Sequence, residues 1–489
     1  MLPRSDIVET AAQEHGSRIY LIHRGGEVSY DELAERVSMA SGGLADAGIL
    51  PGDHVLLLMD NTAASVVAFY AARRCGAVVV ALSAGAGSLD VEHAITSTSP
   101  RLCVAPAHHQ AELARQHSSV AWTMLPGGSG RPGHPPDPDG PGLVLFTSGT
   151  TSRPKGVVHS ENTLRTAAKN FVGAAALTAD DRLFLVSPLA SITGVLQALC
   201  MAPMVGAAVV LEDRFEPSSS LDLLLSAGAT FYGGPDVVLA RLLRAAGERG
   251  IGSVGLRKVS LGGTMLDPML LRTAEEDFGI RVTRAYGSSE VPFSTATPVT
   301  ADVEVRLTTD GVALEGVEAK AGTKNDPSEL AVRGPHVMLR YLDGEDNDAA
   351  FDDGWYCTGD IAEIDDAGRL RIVGRIKDVA IRNGLKVALP EVELAVARLD
   401  GIDACAAYRV ADPETGEHVG IAVSARTVPE LAAINRLLLA AGLSKSKLPE
   451  ELVIWSGAFP YTDTGKLMRL DVSERARDLP KQVVARLEL

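Results

Sequence analysis

The segment LFTSGTTSRPKGV, residues 145–157, combines residue types that are suited to holding phosphate. Its hydroxyl residues and two glycines surround a single ammonium group, that of Lys155. Glycine permits close approach of the backbone to a ligand, hydroxyls form hydrogen bonds, and lysine supplies a point charge. The phosphate-loop spacing G-x-x-x-x-G-K-[ST] is not met, because Gly149 is followed by Lys155 and then by Gly156. A solvated turn rich in serine and threonine would explain the same residues without a ligand.

The surroundings of this segment favour a ligand-binding loop. The apolar run GLVLF precedes it, and a helical pattern begins after Ser160. We therefore expect a loop at the end of a strand, which is where α/β sheets bind ligands.

Short apolar runs alternate with helical patterns over the first 290 or so residues. Leu33, Val37, Ala40 and Leu44 recur at helical spacing, and unbroken runs such as HVLLLMD and AVVVAL are typical of strands buried on both faces. A second alternating series starts at residue 142, after a connection rich in proline and glycine. The pattern predicts an α/β fold with two doubly wound sheets.

The pattern changes after residue 303, where short strands and turns predict a small β-barrel-like unit. The last part of the chain then starts afresh as an α+β unit. Its expected elements are a helix at LPEVELAVARLD, strands at ACAAYRV and HVGIAVSA, a helix at VPELAAINRLLLAAG and a final strand at LVIWSG.

Charge and cysteine content limit the partners and the compartment. The formal net charge of −16 argues against a nucleic-acid binder, which needs a basic face. The five cysteines are scattered and form no C-x-x-C pair, and the first residues contain no apolar signal segment. We expect a protein of the reducing cytoplasm.

No charged residue lies between Arg182 and Glu212, a run long enough on paper to span a bilayer. Prolines, glycines and hydroxyl residues interrupt it, and strand-like and helix-like pieces are visible inside it. We expect a buried core and no transmembrane segment, with a membrane-associated protein as the alternative.

The segment FTSGTTSRPKG resembles the signature loop of the acyl-adenylate-forming superfamily, which includes acyl-CoA synthetases, firefly-type luciferases and adenylation domains. Further segments resemble the family in the expected order, so that the resemblance covers essentially the whole chain. They are AYGSSE (285–290), GWYCTGD (354–360), GRIKDVAIRNGLKVALPEVE (374–393) and PYTDTGK (460–466). In such enzymes a carboxylate attacks the α-phosphate of ATP, pyrophosphate leaves, and a thiol then displaces AMP from the acyl-adenylate.

The resemblance implies a domain division and a movement. Residues 1–374 would form the adenylation domain, 375–377 a hinge centred on Lys377, and 378–489 a mobile C-terminal domain. One orientation of the C-terminal domain would make the adenylate and the other the thioester. Gly384 would approach the thiol channel in the second orientation.

The resemblance also implies the catalytic residues. Lys155 would hold the β- and γ-phosphates, Glu290 would bind Mg²⁺, and Lys466 would bridge the carboxylate and the α-phosphate. The family usually has a basic residue at the position of Tyr461. The phosphate near Lys466 would therefore lack that second positive charge here.

Further residues would bind ATP: Tyr286 against adenine, Ser289 near the α-phosphate, Asp360 on the ribose hydroxyls and Arg375 on ribose or phosphate. The full set that the resemblance assigns to ATP is Thr147, Ser148, Gly149, Thr150, Thr151, Gly262, Gly263, Thr264, Ala285, Tyr286, Gly287, Ser288, Ser289, Asp360 and Arg375. A β-bulge would explain the glycines of SLGGT without a ligand.

The acyl pocket would draw on Ala190, Ser191, Ile192, Thr193, Tyr232, Gly233 and Val291. The first four residues offer no charge, and burying an α-ammonium unpaired costs several kcal/mol, which argues against an amino acid. Ala190 and Ser191 stand where the family commonly has a ring, which implies a differently shaped entrance. The segment SPLASITGVLQALCMAP is most similar to ligases of medium-chain, alicyclic or aryl acids.

Three functions remain open from the sequence. The first is an acyl-CoA synthetase, a monomer or homodimer, that uses ATP, Mg²⁺ and CoA. Its substrate would be an apolar, non-amino carboxylic acid of the medium-chain, alicyclic or aryl kind. The second is an adenylating enzyme that loads a carrier-protein phosphopantetheine or a nitrogen nucleophile. The third is a non-catalytic ATP-binding homologue, which Lys155, Glu290, Asp360 and Lys466 argue against.

Overall fold

The computed structural model describes residues 6–117, 120–129, 137–147, 154–262, 266–324, 326–383, 385–425, 427, 430–461 and 467–484. The chain divides into two compact units. Unit 1 comprises Met1–Ala319, Val332–Tyr356 and Asp365–Leu370. Unit 2 comprises Lys320–Ala331, Cys357–Ile364 and Arg371–Leu489.

The α-helices, in chain order, are α1 Ile7–His15, α2 Tyr30–Asp46, α3 Ala63–Arg74, α4 Ser88–Thr98, α5 Ala107–Gln116, α6 Glu161–Ala175, α7 Ile192–Gly194, α8 Ala202–Val205, α9 Pro217–Ser226, α10 Asp236–Glu248, α11 Pro268–Glu276, α12 Val303–Thr308, α13 Gly344–Ala350, α14 Leu389–Ala397, α15 Leu431–Ala440 and α16 Arg469–Arg477. A π-helix, Val195–Met201, joins α7 to α8, and two 3₁₀-helices occupy Ile376–Asp378 and Lys445–Lys447.

The strands are β1 Ile19–His23, β2 Gly26–Ser29, β3 His54–Met59, β4 Val78–Ser83, β5 Leu102–Val104, β6 Trp122–Thr123, β7 Leu143–Thr147, β8 Lys155–His159, β9 Arg182–Leu185, β10 Ala208–Leu211, β11 Phe231–Gly234, β12 Lys258–Leu261, β13 Arg281–Tyr286, β14 Thr295–Ala296, β15 Val312–Ala313, β16 Glu318–Ala321, β17 Glu329–Arg333, β18 Arg340–Tyr341, β19 Phe351–Asp352, β20 Trp355–Ile364, β21 Leu370–Arg375, β22 Val379–Arg382, β23 Leu385–Ala388, β24 Ile402–Asp412, β25 Gly416–Ala425, β26 Glu451–Ile454 and β27 Lys481–Val483.

Two large sheets form the framework of unit 1. The nine-stranded sheet has the order β15-β14-β13-β12-β11-β9-β10-β1-β2 and is parallel from β13 to β1. The seven-stranded sheet has the order β18-β8-β7-β4-β3-β5-β6 and is parallel from β7 to β6. The predicted α/β fold with two doubly wound sheets is confirmed.

Alternate side chains of the nine-stranded sheet pack into two different cores. In β9, Leu183 and Leu185 belong to the core shared with α2, α3 and α6, whereas Phe184 belongs to the core under α9 and α10. Burial on both faces explains the unbroken apolar runs in the sequence, since neither face of such a strand is solvated.

The uncharged run between Arg182 and Glu212 forms β9, the π-helix with its flanking turns, and β10. Buried tyrosine hydroxyls contact carbonyl oxygens of this segment. Tyr20 and Tyr70 donate to Ala198 O and Leu199 O of the π-helix, and Tyr30 Oη lies 2.6 Å from Ala207 O and 3.0 Å from Ala202 O. Across the described ranges, no helix is long and apolar enough to cross a membrane.

The predicted small β unit corresponds to a five-stranded sheet with the order β16-β17-β20-β19 and β21 beside β20. Short strands were expected from about residue 303, and this is wrong for the first residues, because Val303–Thr308 form α12. The guanidinium of Arg306 binds Glu275 and Val282 O, a tertiary contact that outweighs the strand preference of Val303 and Val305.

Unit 2 contains a six-stranded sheet with the order β23-β22-β25-β26-β27, and β24 pairs with β25. Helices α14 and α15 cover one face, and α16 packs near the other beside Trp455 and Phe459. The predicted α+β character is confirmed, although α16 and β27 after the expected last strand were not predicted.

Candidate active site

The phosphate-loop candidate connects the two strands of a hairpin. β7 and β8 pair antiparallel, and Thr147 lies opposite Lys155 in the register. The sequence predicted the first strand and did not predict the second. Of the loop residues, Ser148, Gly149, Thr150 and Thr151 lie outside the described part of the chain. The hairpin fixes both ends of the loop.

Lys155 has two partners, one in β18 and one in the helix α13 that follows it. Its Nζ lies 2.9 Å from Asp346 Oδ1 and 5.0 Å from the centre of the Tyr341 ring. About a quarter of each charged side chain is exposed, with 27% for Lys155 and 25% for Asp346. β18 pairs antiparallel with β8, which places Tyr341 opposite Val157. Strand pairing therefore brings a distant carboxylate to the lysine of the loop.

Glu290 follows β13, and both of its carboxylate oxygens accept hydrogen bonds. Tyr341 Oη donates to Oε1 at 2.9 Å, and Ser288 Oγ donates to Oε2 at 2.7 Å. Met338 N donates to the carbonyl oxygen of Glu290 at 2.8 Å. Two donors fix the rotamer of the carboxylate, and each oxygen keeps a lone pair for a cation.

A second tyrosine continues this hydrogen-bond chain. Tyr356 Oη lies 3.0 Å from Tyr341 Oη. Burial raises the pKa of both tyrosines well above the usual value, and the nearby Glu290 charge adds to this effect. Both hydroxyls are therefore protonated at neutral pH. Since the Tyr341 proton is directed to Glu290, Tyr356 is the donor of the pair.

A buried histidine supports the backbone beside Glu290. His159 Nε2 lies 2.6 Å from Ser289 O, and Nδ1 lies 3.0 Å from Thr163 Oγ1. Burial lowers the pKa of His159 to about 4, against the opposing effect of the bond to Ser289. The neutral ring must donate from Nε2, because a carbonyl oxygen only accepts.

Gly262 follows β12 and Gly287 follows β13, and close packing of the chain explains why both positions are glycine. A Cβ on Gly262 would lie 2.2 Å from Ala285 O, and a Cβ on Gly287 would lie 2.4 Å from Phe293 N. Gly263 and Thr264 lie outside the described residues. Ala285 and Tyr286 end β13 and are nearly buried.

The structure places the predicted acyl-pocket residues around α7 and the ends of the nine-stranded sheet. Ser191 caps α7, since its Oγ accepts from Gly194 N and donates to Pro188 O at 2.7 Å. Tyr232 packs in the core under α9 and α10, with its hydroxyl on Pro235 O at 2.9 Å. The remaining members are Ala190, Ile192 and Thr193, which are partly buried, Gly233 in β11, and Val291, which is buried.

In unit 2, Asp360 and Arg375 form an ion pair in which Oδ1 lies 2.8 Å from Nε. The carboxylate is 4% exposed and the guanidinium 34% exposed. Lys377 lies in the 3₁₀-helix Ile376–Asp378. Two predicted residues of this unit, Gly384 and Lys466, lie outside the described residues.

The sequence prediction missed Tyr341, Tyr356, Asp346 and His159. No spacing rule connects these residues to Glu290 or Lys155, because their contacts join elements that are distant in sequence. A histidine directly before the capping residue Ser160 was the one local signal, since a polar side chain at the end of a buried strand needs a partner.

The single carboxylate of Glu290 fits Mg²⁺ better than a metal ion that is held entirely by protein side chains. Among the residues that the structure describes, no group of three or more histidine, cysteine, aspartate or glutamate side chains could hold a metal ion. Mg²⁺ is usually bound by one or two carboxylates together with the phosphates of a nucleotide. Glu290, whose two carboxylate oxygens are held by Tyr341 and Ser288, would provide one such carboxylate.

Residues 8–342 match the protein family described as AMP-binding enzyme. The chain belongs to this family of AMP-binding enzymes, and the family predicted from its sequence motifs is confirmed. Its place is on the acid–CoA ligase side of the superfamily, as its relatives indicate.

Three relatives show how similar the chain is to known proteins. Feruloyl-CoA synthase of Amycolatopsis sp is 28% identical, over 93% of this chain and 95% of that protein. Oxalate–CoA ligase of Arabidopsis thaliana is 29% identical, over 97% of this chain and 99% of that protein. The salicyl-AMP ligase / salicyl-S-ArCP synthetase of Mycobacterium tuberculosis is also 29% identical, over 94% and 88% of the two chains.

Solved structures share the fold. The o-succinylbenzoate CoA synthetase of Bacillus subtilis, in complex with its acyl-adenylate intermediate, superposes with a TM-score of 0.88 at 22% identity. That match covers 98% of this chain and 99% of the other. The ATP-bound MatB of Rhodopseudomonas palustris gives a TM-score of 0.87 at 23% identity, over 97% and 99% of the two chains.

Proposed function

We propose that the protein activates a carboxylic acid with ATP and transfers the acyl group to CoA. The acid would displace pyrophosphate from ATP to give acyl-AMP, and the CoA thiol would then displace AMP to give the thioester. One observation carries the proposal: the hairpin holds Lys155 over the ring of Tyr341, whose hydroxyl holds Glu290. A cation for polyphosphate and a carboxylate for Mg²⁺ are thus positioned by a single side chain.

The residues of unit 1 would handle the phosphates. Lys155 would bind the β- and γ-phosphates with the hydroxyls of Thr147 and of the loop that follows it. Glu290 would hold Mg²⁺, which supplies charge neutralisation for the leaving pyrophosphate. Tyr341 and Ser288 would keep the Glu290 carboxylate in the orientation that the ion needs.

Lys466 would act on the reacting atoms themselves, between the attacking carboxylate and the α-phosphate. An ammonium about 4 Å from an anion contributes about 4 kcal/mol at an effective dielectric of 20. The support for this role is the motif PYTDTGK, in which Thr462, Gly465 and Lys466 match the family pattern.

Asp360 and Arg375 would serve the ribose. A carboxylate accepts hydrogen bonds from two vicinal hydroxyls, and the ion pair at 2.8 Å sets its orientation before ATP arrives. We further propose that residues 378–489 move about the hinge 375–377 between the two half-reactions. Gly384 would line the thiol channel in the second of them.

The acid would be small and would carry no α-ammonium, because Ala190, Ser191, Ile192 and Thr193 offer it no charge. Aryl, alicyclic and medium-chain acids all satisfy this condition. The relatives support it in part, since the names of two of them specify feruloyl and salicyl groups.

A second acceptor deserves a direct test. One relative is named a salicyl-S-ArCP synthetase, which favours a carrier-protein thiol as the alternative to CoA. A nitrogen nucleophile is the further alternative.

We place the enzyme in the cytoplasm as a monomer or homodimer. The five cysteines form no disulfide bond with one another, and burial raises the pKa of Cys75 to about 11 and of Cys103 to about 12. Cysteines that are not joined in disulfide bonds suit a reducing compartment.

The test is a screen for acid-dependent pyrophosphate release, with aryl, alicyclic and alkyl acids and with CoA, a phosphopantetheinylated carrier protein or small amines as acceptors. We expect pyrophosphate with some acids and AMP release that CoA accelerates. Acceleration by the carrier protein or amine alone would replace CoA as acceptor. Absence of acid-dependent pyrophosphate throughout would refute the proposed function.

A further inference from the structure

Gln197 has an unusual environment within the π-helix Val195–Met201. Its side chain is 1% exposed. Nε2 donates a hydrogen bond to Gly233 O at 2.8 Å. Oε1 is buried and accepts no hydrogen bond from the residues that the structure describes.

The orientation of this amide is fixed by its one partner. Gly233 O can only accept, so the nitrogen of Gln197 must face it and the oxygen must face away. A buried acceptor without a donor costs about 1–3 kcal/mol, so buried polar atoms are rarely left in this state. An arriving donor would recover that free energy.

The amide of Gln197 lies at the predicted acyl pocket. A Cβ on Gly233 would lie 2.7 Å from Nε2 and 3.1 Å from Oε1, so the amide rests directly on the backbone of β11 near its carboxyl end. Ligands of parallel sheets bind at the carboxyl ends of strands. Along the helix, Gln197 comes four residues after Thr193, which places the two on nearly the same face.

The helix that carries Gln197 is rigidly held. The carbonyl oxygens of Ala198 and Leu199, which follow it directly, accept hydrogen bonds from Tyr20 and Tyr70. π-helical turns are rare and occur frequently at functional sites. The acceptor is therefore presented on a fixed element, as a specificity group has to be.

The chemistry of the acceptor selects one class of donor. An amide oxygen is neutral, so it would not compensate the burial of an ammonium group. It would repel a second carboxylate, whose oxygens only accept. A hydroxyl group, phenolic or aliphatic, is the matching partner.

We infer that Gln197 is a specificity residue for a hydroxy acid: its Oε1 accepts a hydrogen bond from a hydroxyl group on the acyl part of the substrate. The inference rests on the proposed activation of a carboxylic acid and adds the substrate class. The preference arises because an acid without the hydroxyl leaves Oε1 buried and unpaired.

The experiment compares acids that differ by one hydroxyl group. Suitable sets are benzoate with 3- and 4-hydroxybenzoate, cyclohexanecarboxylate with its 4-hydroxy derivative, and octanoate with 8-hydroxyoctanoate. In ATP–pyrophosphate exchange, we expect the wild type to prefer the hydroxy acid of at least one set by about 10- to 100-fold in kcat/KM.

The variant Gln197→Met removes the acceptor and keeps the length of the side chain. We expect it to reduce the preference to about one, because it loses activity only on the hydroxy acid. Met201→Leu, a change of apolar shape on the same π-helix, serves as the control and should keep the preference.

The outcomes are distinct. Equal kcat/KM for the members of every set in the wild type overturns the inference alone, and that result needs no variant. Equal loss on both acids in Gln197→Met also overturns it, because it marks a structural role. A wild type that activates no acid refutes the proposed function, and the inference with it.

Discussion

The hydroxyl of Tyr341 donates a hydrogen bond to Oε1 of Glu290 at 2.9 Å, across 51 positions of the chain. The same ring lies 5.0 Å below the ammonium of Lys155. One aromatic side chain thus positions both charged groups that we assign to the polyphosphate.

Tyr341→Phe should weaken the use of Mg²⁺. The variant keeps the ring under Lys155 and removes one donor from the Glu290 carboxylate, which then samples other rotamers. We expect the Mg²⁺ concentration for half-maximal pyrophosphate release to rise about tenfold, which corresponds to a hydrogen bond to a charged group. Tyr356→Phe, one bond further away, should have a smaller effect. An unchanged Mg²⁺ dependence in Tyr341→Phe would remove Tyr341 from the site.

Asp346→Asn should lower the KM for ATP by a few-fold. Asp346 competes with the phosphates for Lys155, and its carboxylate would repel them. The pair is partly exposed and contributes only about 0–1 kcal/mol to stability, so the fold should be little affected. The control is Asp348→Asn, an equal change of charge at an exposed position of α13. A higher KM for ATP in Asp346→Asn would mean that Asp346 orients Lys155 towards the phosphates.

Lys466→Ala should reduce adenylation more than Lys155→Ala does, and it should affect only the first half-reaction. We expect Lys466→Ala to reduce adenylation by about 100- to 1,000-fold, as for the loss of one group that stabilises a transition state. It should spare thioester formation from preformed acyl-AMP. Lys155→Ala should impair adenylation less. Equal loss of both half-reactions in Lys466→Ala, or the reverse ranking, would contradict the assigned roles.

Asp360→Asn should reduce discrimination at the ribose. With 2′-deoxy-ATP and 3′-deoxy-ATP the wild type should show a higher KM than with ATP, and the variant should treat the three nucleotides more alike. We expect its KM for ATP to rise about tenfold. Asp366→Asn, at an exposed turn before β21, is the matched control. Full discrimination in Asp360→Asn would place the ribose elsewhere.

His159 should make the protein sensitive to acid. Its folded pKa of about 4 lies below the ordinary value of 6.5, so the unfolded chain binds the proton first as the pH falls. Stability from this group is present above about pH 6.5 and is lost towards pH 4, by up to about 3 kcal/mol. Urea midpoints of the wild type and His159→Gln, measured at pH 7.5 and 4.5, should converge at the lower pH. Parallel pH profiles would contradict a neutral buried His159.

The sequence predicted the helices and strands whose hydrophobic residues repeat with a clear period or form an unbroken run. Leu33, Val37 and Leu44, placed on one helical face by their spacing, are fully buried in α2. The apolar run before Gly149 forms β7, as expected from its burial on both faces. Where the period and the burial agree, the sequence determines the element directly.

The misses have a common physical cause, which is tertiary contact. α12 forms where a strand was expected, because Arg306 is anchored on Glu275. β8 and β18 are short strands that are far apart in the sequence and pair with each other. The Tyr341–Glu290 bond follows from that pairing, so no local pattern predicts it.

Unit 2 is assembled from three separate stretches of chain. Lys386 binds Asp326 with Nζ 2.6 Å from Oδ2, and Arg375 binds Asp360, so each early stretch is held by a late one. During synthesis, residues 320–331 and 357–364 are made before Arg371–Leu489, the stretch that supplies both partners. The nascent chain can therefore complete this unit only after most of Arg371–Leu489 has been synthesised.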